Sequence, residues 1–204
     1  MLIKLTTTAM LVMSLLFVLS CEKKEEETIH TPVNSLSMEI NGQAWKPYER
    51  DPCTSTFMCS WTGVSGPGDI DMDLYTISAF KDTKGRADYR SENQLRIQLT
   101  DVEAPGVYLT TGSYKSDFDS YAIFIDRTAG DAPESGKRYV NKTVENSFYV
   151  QVEEILPREG VSPNGIRGTF YGTLYNEEDP SDYILIQKGE FTFQILDFGW
   201  NHCR

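Results

Sequence analysis

Histidine and cysteine are scarce in this chain, which has two of the first and four of the second among 204 residues. His30 and His202 sit in no pattern resembling a nucleophile elbow or a metalloprotease helix, and no glycine-rich phosphate loop appears. Nothing in the sequence therefore points to a histidine-based hydrolytic site. Basic residues are also few, 19 Lys plus Arg against 30 Asp plus Glu, for a net charge of -11. Sequence-independent nucleic-acid binding depends on cations neutralising phosphates along a positive patch, so no nucleic-acid partner is expected. The same acidity keeps the domain off an anionic lipid surface unless a dedicated anchor holds it there. Long apolar runs are missing too. The stretch Ala9 to Leu19, interrupted only by Ser14, would reach about 16 Å as a helix, against about 30 Å of hydrocarbon core.

That short stretch, preceded by Lys4, reads as a secretory signal peptide over residues 1–20. Its end, Val18-Leu19-Ser20-Cys21, resembles the lipobox of bacterial lipoproteins, which implies cleavage before Cys21 and diacylglycerol on the Cys21 thiol. Stable anchoring needs several acyl chains, because each buried CH₂ contributes only about 0.8 kcal/mol. Residues 21–35 then form a tether opened by the charged run Glu22 to Glu27, too polar to fold alone. Within it Lys24-Glu25-Glu26 resembles the export signal of Bacteroidota lipoproteins, which implies an outer-membrane lipoprotein exposed at the cell surface.

With Cys21 lipidated, Cys53, Cys59 and Cys203 remain in a compartment where disulfides persist. Cys53 and Cys59 would stand about 20 Å apart if extended, far beyond the roughly 7 Å a disulfide spans between Cα atoms. Cys59 alternates with Phe57 and Trp61 as a core-facing strand residue does, so a Cys53–Cys203 bridge with a buried Cys59 is the preferred pairing. A zinc site from these thiols and His202 has no recognised ligand spacing. For calcium, the best-placed carboxylates are Asp69, Asp71 and Asp73, followed by Asp117 and Asp119 and by Glu177, Glu178, Asp179 and Asp182. Leu74 occupies the place where an EF-hand loop needs glycine, and the closing glutamate is absent. The expectation is a solvated acidic edge and no cofactor.

From Leu36 onward apolar residues recur with period two, and no dozen residues read as an amphipathic helix. Residues 36–204 are thus expected to form a single all-β domain, an antiparallel β-sandwich or flattened barrel. Asn41-Gly42 suits a type I′ hairpin with Met38 opposite Trp45. Further strands are predicted at 55–62, 72–80, 94–100, 107–110, 121–126, 137–140 and 147–155, in meander-like spacing. Loops are expected at 63–69 and 130–136. Ile166, Gly168, Phe170, Gly172 and Leu174 share one face of a later strand, the two glycines marking tight packing or a bend. Beyond the acidic loop, a two-residue turn at Lys188-Gly189 would place Ile184, Ile186, Phe191, Phe193 and Ile195 together.

The lipobox, the acidic tether, Met38-Glu39-Ile40-Asn41-Gly42 with Trp45, Gly168-Thr169-Phe170 with Gly172-Thr173-Leu174, and Lys188-Gly189-Glu190-Phe191 together resemble small Bacteroidota surface lipoproteins of uncharacterised function. These motifs are turns and core positions, so the resemblance implies an address and a β fold but transfers no catalytic residue.

Aromatic residues are plentiful, 11 Tyr, 10 Phe and 3 Trp, and most of the Phe are expected in the core of a β fold. Tyr171, Tyr175 and Tyr183 fall on the polar faces of their strands, where a flat ring with a hydrogen-bonding tip suits a sugar or a protein surface. Cross-strand pairing on an outer sheet face is the plainer use of such tyrosines. The expected function is a non-catalytic module binding extracellular glycan or an envelope protein, or else serving structure. The alternative is a lipocalin-like carrier of a small apolar ligand, which needs an open barrel cavity. A glycan-active enzyme would require two carboxylates converging in a cleft.

Overall fold

Asn41 and Gly42 adopt φ angles of 50° and 79°, the left-handed pair that a type I′ turn requires. They fold β1 (Ser35–Ile40) onto β2 (Gln43–Trp45) with Met38 opposite Trp45, the register expected from sequence. The structure is a computed structural model that describes residues 34–48, 56–66, 70–84, 86, 90–128, 136–143, 145, 147–156 and 165–194. Nine more strands follow: β3 (Phe57–Gly66), β4 (Ile70–Lys81), β5 (Asn93–Thr100), β6 (Gly106–Leu109), β7 (Tyr121–Asp126), β8 (Lys137–Val140), β9 (Phe148–Leu156), β10 (Gly165–Asn176) and β11 (Tyr183–Gln194). Among the described residues there is no helix, and the strands belong to one antiparallel sheet.

The sheet order is β2-β1-β11-β10-β8-β7-β5-β4-β3, with β9 also on β10 and β6 on β9. The two ends of this order curl to face each other. Trp45 of β2 meets Phe124 of β7 edge-on at 5.9 Å, and Phe57 of β3 meets Phe193 of β11 edge-on at 5.9 Å. A single core fills the space between, including Leu95, Ile97, Leu99, Phe148, Phe170 and Phe191. The fold is therefore an all-β half-barrel, flattened by its packed interior.

β10 is the branch point. One edge pairs with β11 throughout, while the other pairs with β9 from Gly165 to Gly172 and with β8 at Tyr175 and Asn176. Gly172 stands at the changeover with φ of 148°, and a Cβ there would lie 2.2 Å from the Ser147 carbonyl oxygen. Only glycine fits this position. Two further glycines, Gly168 and Gly189, lie directly opposite Phe191 and Phe170 across the β10–β11 ladder, each leaving room for the opposing ring.

Three expectations need correction. Lys188-Gly189 is not a turn: β11 runs unbroken through it, and Lys188, at φ of 48°, is an extra residue in the strand. Phe170 faces Gly189 and Gly172 faces Ile186, two steps on β10 against three on β11. Such a bulge flips side-chain parity, so Ile184 and Ile186 before it and Gly189, Phe191 and Phe193 after it turn inward, the pattern that suggested a turn. Gly63 to Gly66, read as loop, extends β3 in an unbroken ladder with β4 as far as Gly66 opposite Ile70. The meander also fails after β5. Asp101, with φ of 51°, turns the chain out of the row, its N–H donating to the Asp73 carbonyl at 2.8 Å, and β6 joins β9 instead.

Candidate functional site

Period-two alternation places Arg167, Thr169, Tyr171, Thr173 and Tyr175 of β10 on the outer face, opposite the buried Ile166, Phe170 and Leu174. The three tyrosines singled out from sequence, Tyr171, Tyr175 and Tyr183, all lie on this face, but in two groups. Tyr175 and Tyr183 are direct cross-strand partners with ring centroids 6.1 Å apart, and the Lys142 Nζ lies 4.2 Å from the Tyr175 ring centroid. Tyr171 instead stacks on Tyr149 of β9, 5.3 Å between centroids and 18° from parallel. Tyr149 was missed from sequence, although the alternation of Phe148, Val150 and Val152 points it outward.

Exposed large apolar side chains gather here as well. Val107 and Leu109 of β6, Tyr171 of β10, and Tyr183 and Leu185 of β11 account for five of the seven such residues described. Leu109 is registered opposite Tyr149, so the row Leu109–Tyr149–Tyr171 crosses three strands. Surface apolar residues are normally scattered, and their concentration makes this face the candidate interaction surface.

Tyr149 lies along one side of the Tyr171 ring, and Tyr171 also borders a depression of about 470 Å³. Its side walls include Thr169, Leu185, Gln187, Lys188 and Glu190, over the backbone of β10 and β11. The bulge re-aims Lys188, whose Nζ reaches the Glu39 carboxylate of β1 at 2.8 Å. The site thus offers an aromatic side, one aliphatic group, an amide, a hydroxyl, the Lys188 ammonium and the Glu190 carboxylate. Those groups suit a ligand with apolar C–H faces and many hydroxyls.

The chain matches one family model over residues 33–194, described as a domain of unknown function, DUF5025. The chain belongs to the DUF5025 family. No curated protein and no solved structure matches it. The matched span ends at Gln194, the last residue of β11, so the DUF5025 domain includes both tyrosine pairs and the depression.

Among the described residues of this DUF5025 domain, most acidic groups are committed to neighbours. Asp71 accepts a hydrogen bond from the Ser65 hydroxyl at 3.0 Å, and the Asp73 N–H donates to the Asp101 carboxylate at 3.1 Å. Asp69 lies outside the described residues. Asp119 accepts from the Ser113 N–H at 2.9 Å. Hydrogen bonds from the Lys115 ammonium and the Tyr114 hydroxyl hold the Glu177 carboxyl below its usual range. Lys137 and Asn176 do the same for Asp182, and the Ser181 hydroxyl and N–H for Asp179. Burial would raise Asp82, but the Arg86 guanidinium at 2.7 Å and the N–H groups of Arg86, Glu92 and Lys84 outweigh it and lower the carboxyl. Among the described residues no group of three metal-binding side chains converges.

Cys59 faces inward from β3 as expected, beside Tyr75. Burial pushes its thiol up to about 12, only partly offset by the nearby Tyr75 hydroxyl. That hydroxyl is buried with no hydrogen-bond partner of ordinary geometry, and the soft thiol is its polar neighbour. Cys21, Cys53 and Cys203 lie outside the described residues, as do His30 and His202.

Proposed function

We propose that this DUF5025 protein is a non-catalytic glycan-binding module, tethered by lipid on Cys21 to the bacterial outer membrane and exposed at the cell surface. The observation that carries the reading is Tyr171, 53% exposed, backed by Tyr149 and bordering a depression of hydroxyl, amide, ammonium and carboxylate groups. An aromatic ring packs against the C–H face of a sugar, while the polar groups around it exchange hydrogen bonds with sugar hydroxyls. The lipobox at Val18 to Cys21 and the Lys24-Glu25-Glu26 tether support the address.

Two features favour binding on this face over the alternatives. The inner faces are filled by Phe148, Phe170 and Phe191, each at most 1% exposed, where a carrier of apolar ligands needs open space. Each described carboxyl whose pKa is displaced is displaced downward by its partners, whereas a general acid for glycoside cleavage must be raised.

The test is binding of the full chain, purified in detergent, to an immobilised panel of plant, mucosal and bacterial glycans, alongside Tyr171→Ala. Binding to one glycan class that disappears in Tyr171→Ala at unchanged melting temperature supports the reading. Binding of equal strength by the variant, or binding to none of the panel, overturns it, and selective capture of a protein would move the function to protein recognition.

A further inference from the structure

The depression beside Tyr171 does not end at Lys188. A second hollow of about 780 Å³ adjoins it, and both share Lys188 and Glu190. The second runs past Ser37, Glu39 and Ala44 of β1 and β2, touches Met38 and Trp45, and continues beyond the end of β2 to Lys46, Tyr48 and Lys81 at the end of β4. Glu190 lies opposite Ser37 in the β1–β11 ladder, which makes the two hollows neighbours on one sheet face. We infer that they form one groove running across the strands, and that its occupant is an extended oligosaccharide, with Tyr171 at one end and Tyr48 as a second aromatic contact at the other. This rests on the glycan-binding reading above and adds the ligand's length and direction.

Three observations carry it. From β10 through β11 and β1 to β2 there are three interstrand spacings of about 4.8 Å, roughly 14 Å in all, more than one sugar ring covers. Tyr48 is 38% exposed, one of only two large apolar residues exposed among the described ones away from the β6–β11 face. Its backbone is fixed, because its N–H donates to the Phe80 carbonyl at 3.0 Å and its carbonyl accepts from the Thr56 hydroxyl. Between the two aromatics the Lys188–Glu39 pair bridges β11 and β1, and its remaining hydrogen-bonding capacity faces a ligand crossing the junction. A polymer laid over such a row gains from each site it reaches, since the later contacts are intramolecular once the first is made.

The experiment is calorimetric titration of the full chain in detergent with cello-, xylo- and malto-oligosaccharides graded from disaccharide to hexasaccharide. Wild type, Tyr171→Ala and Tyr48→Ala are compared. For the ladder that binds, affinity is expected to rise with length. Tyr48→Ala should weaken the longest member about tenfold, about 1.4 kcal/mol, and leave the disaccharide unchanged, while Tyr171→Ala weakens every member. Affinity independent of length, or a Tyr48→Ala titration matching wild type at every length, overturns the extended groove but leaves glycan binding at Tyr171 standing. A Tyr171→Ala chain that binds as wild type, or a wild type that binds no ladder, overturns both.

Discussion

Replacing Gly189 by alanine should destabilise the domain, although alanine is ordinarily the better residue in a strand. Gly189 has no positive φ, so its conformation is open to any residue, and reduced freedom of the unfolded chain would favour alanine by about 0.4–1 kcal/mol. Against this, the added Cβ would sit 2.4 Å from the Phe170 carbonyl oxygen and 2.5 Å from the Phe170 ring. Phe170 is 0% exposed and packs on Phe148 and Phe191, with centroids 6.1 and 6.3 Å away. The ring has nowhere to retreat, and overpacking of this kind costs about 1–3 kcal/mol. The net expectation is a loss of about 1–2 kcal/mol, which for a domain of this size lowers the melting temperature by roughly 2–8 °C. Adding Phe170→Leu removes the ring clash but not the carbonyl clash, so the double variant should show a coupling of at least about 0.5 kcal/mol without full recovery. Calorimetric unfolding measures both. A melting temperature for Gly189→Ala equal to or above wild type would refute the argument that this ladder interlocks glycine with phenylalanine.

Three other outcomes are expected. Cys59 should resist iodoacetamide at pH 8 in the folded chain and react once guanidinium unfolds it, as followed by peptide mass spectrometry, because its thiol is held near 12; equal labelling in both states contradicts its burial. Asp82, Glu177 and Asp182 have folded pKa values below their unfolded ones, so the stability they contribute is present above about pH 4 and is lost as pH falls through the folded values. Melting temperature should drop along that limb, and Asp82→Asn should lower it at pH 7 while flattening the drop; an unchanged acid limb sinks the assignment. Gly42→Ala, at φ of 79° with open space around the new methyl, should cost about 1 kcal/mol through backbone strain alone, and an unaltered unfolding curve would speak against the type I′ turn.

What could be read from sequence was what neighbouring residues decide among themselves. Asn41-Gly42 sets its own turn, and that turn sets Met38 against Trp45. Alternation in Ile166 to Leu174 sets which residues face inward. The error at Lys188-Gly189 arose because a turn and a bulge invert parity identically; only the continued ladder to β10, supplied by residues some twenty positions earlier, tells them apart. The same limit hid Tyr149. Its outward direction was written in its neighbours, but its place beside Tyr171 depends on the β9–β10 register. The groove was invisible for a related reason, since the hollows beside Tyr48 and Tyr171 adjoin only because β1 pairs with β11.

That pairing also governs when the domain can form. β11 lies between β1, near the start of the domain, and β10, so neither neighbour has its partner on that edge until β11 is in place. Closing so long a loop is slow, and folds dominated by distant strand contacts take milliseconds to seconds rather than microseconds. A chain interrupted before Tyr183 would present two bare strand edges, the usual starting points of aggregation. The dozen residues Tyr183–Gln194 therefore close the sheet, and without them the edges of β1 and β10 stay open.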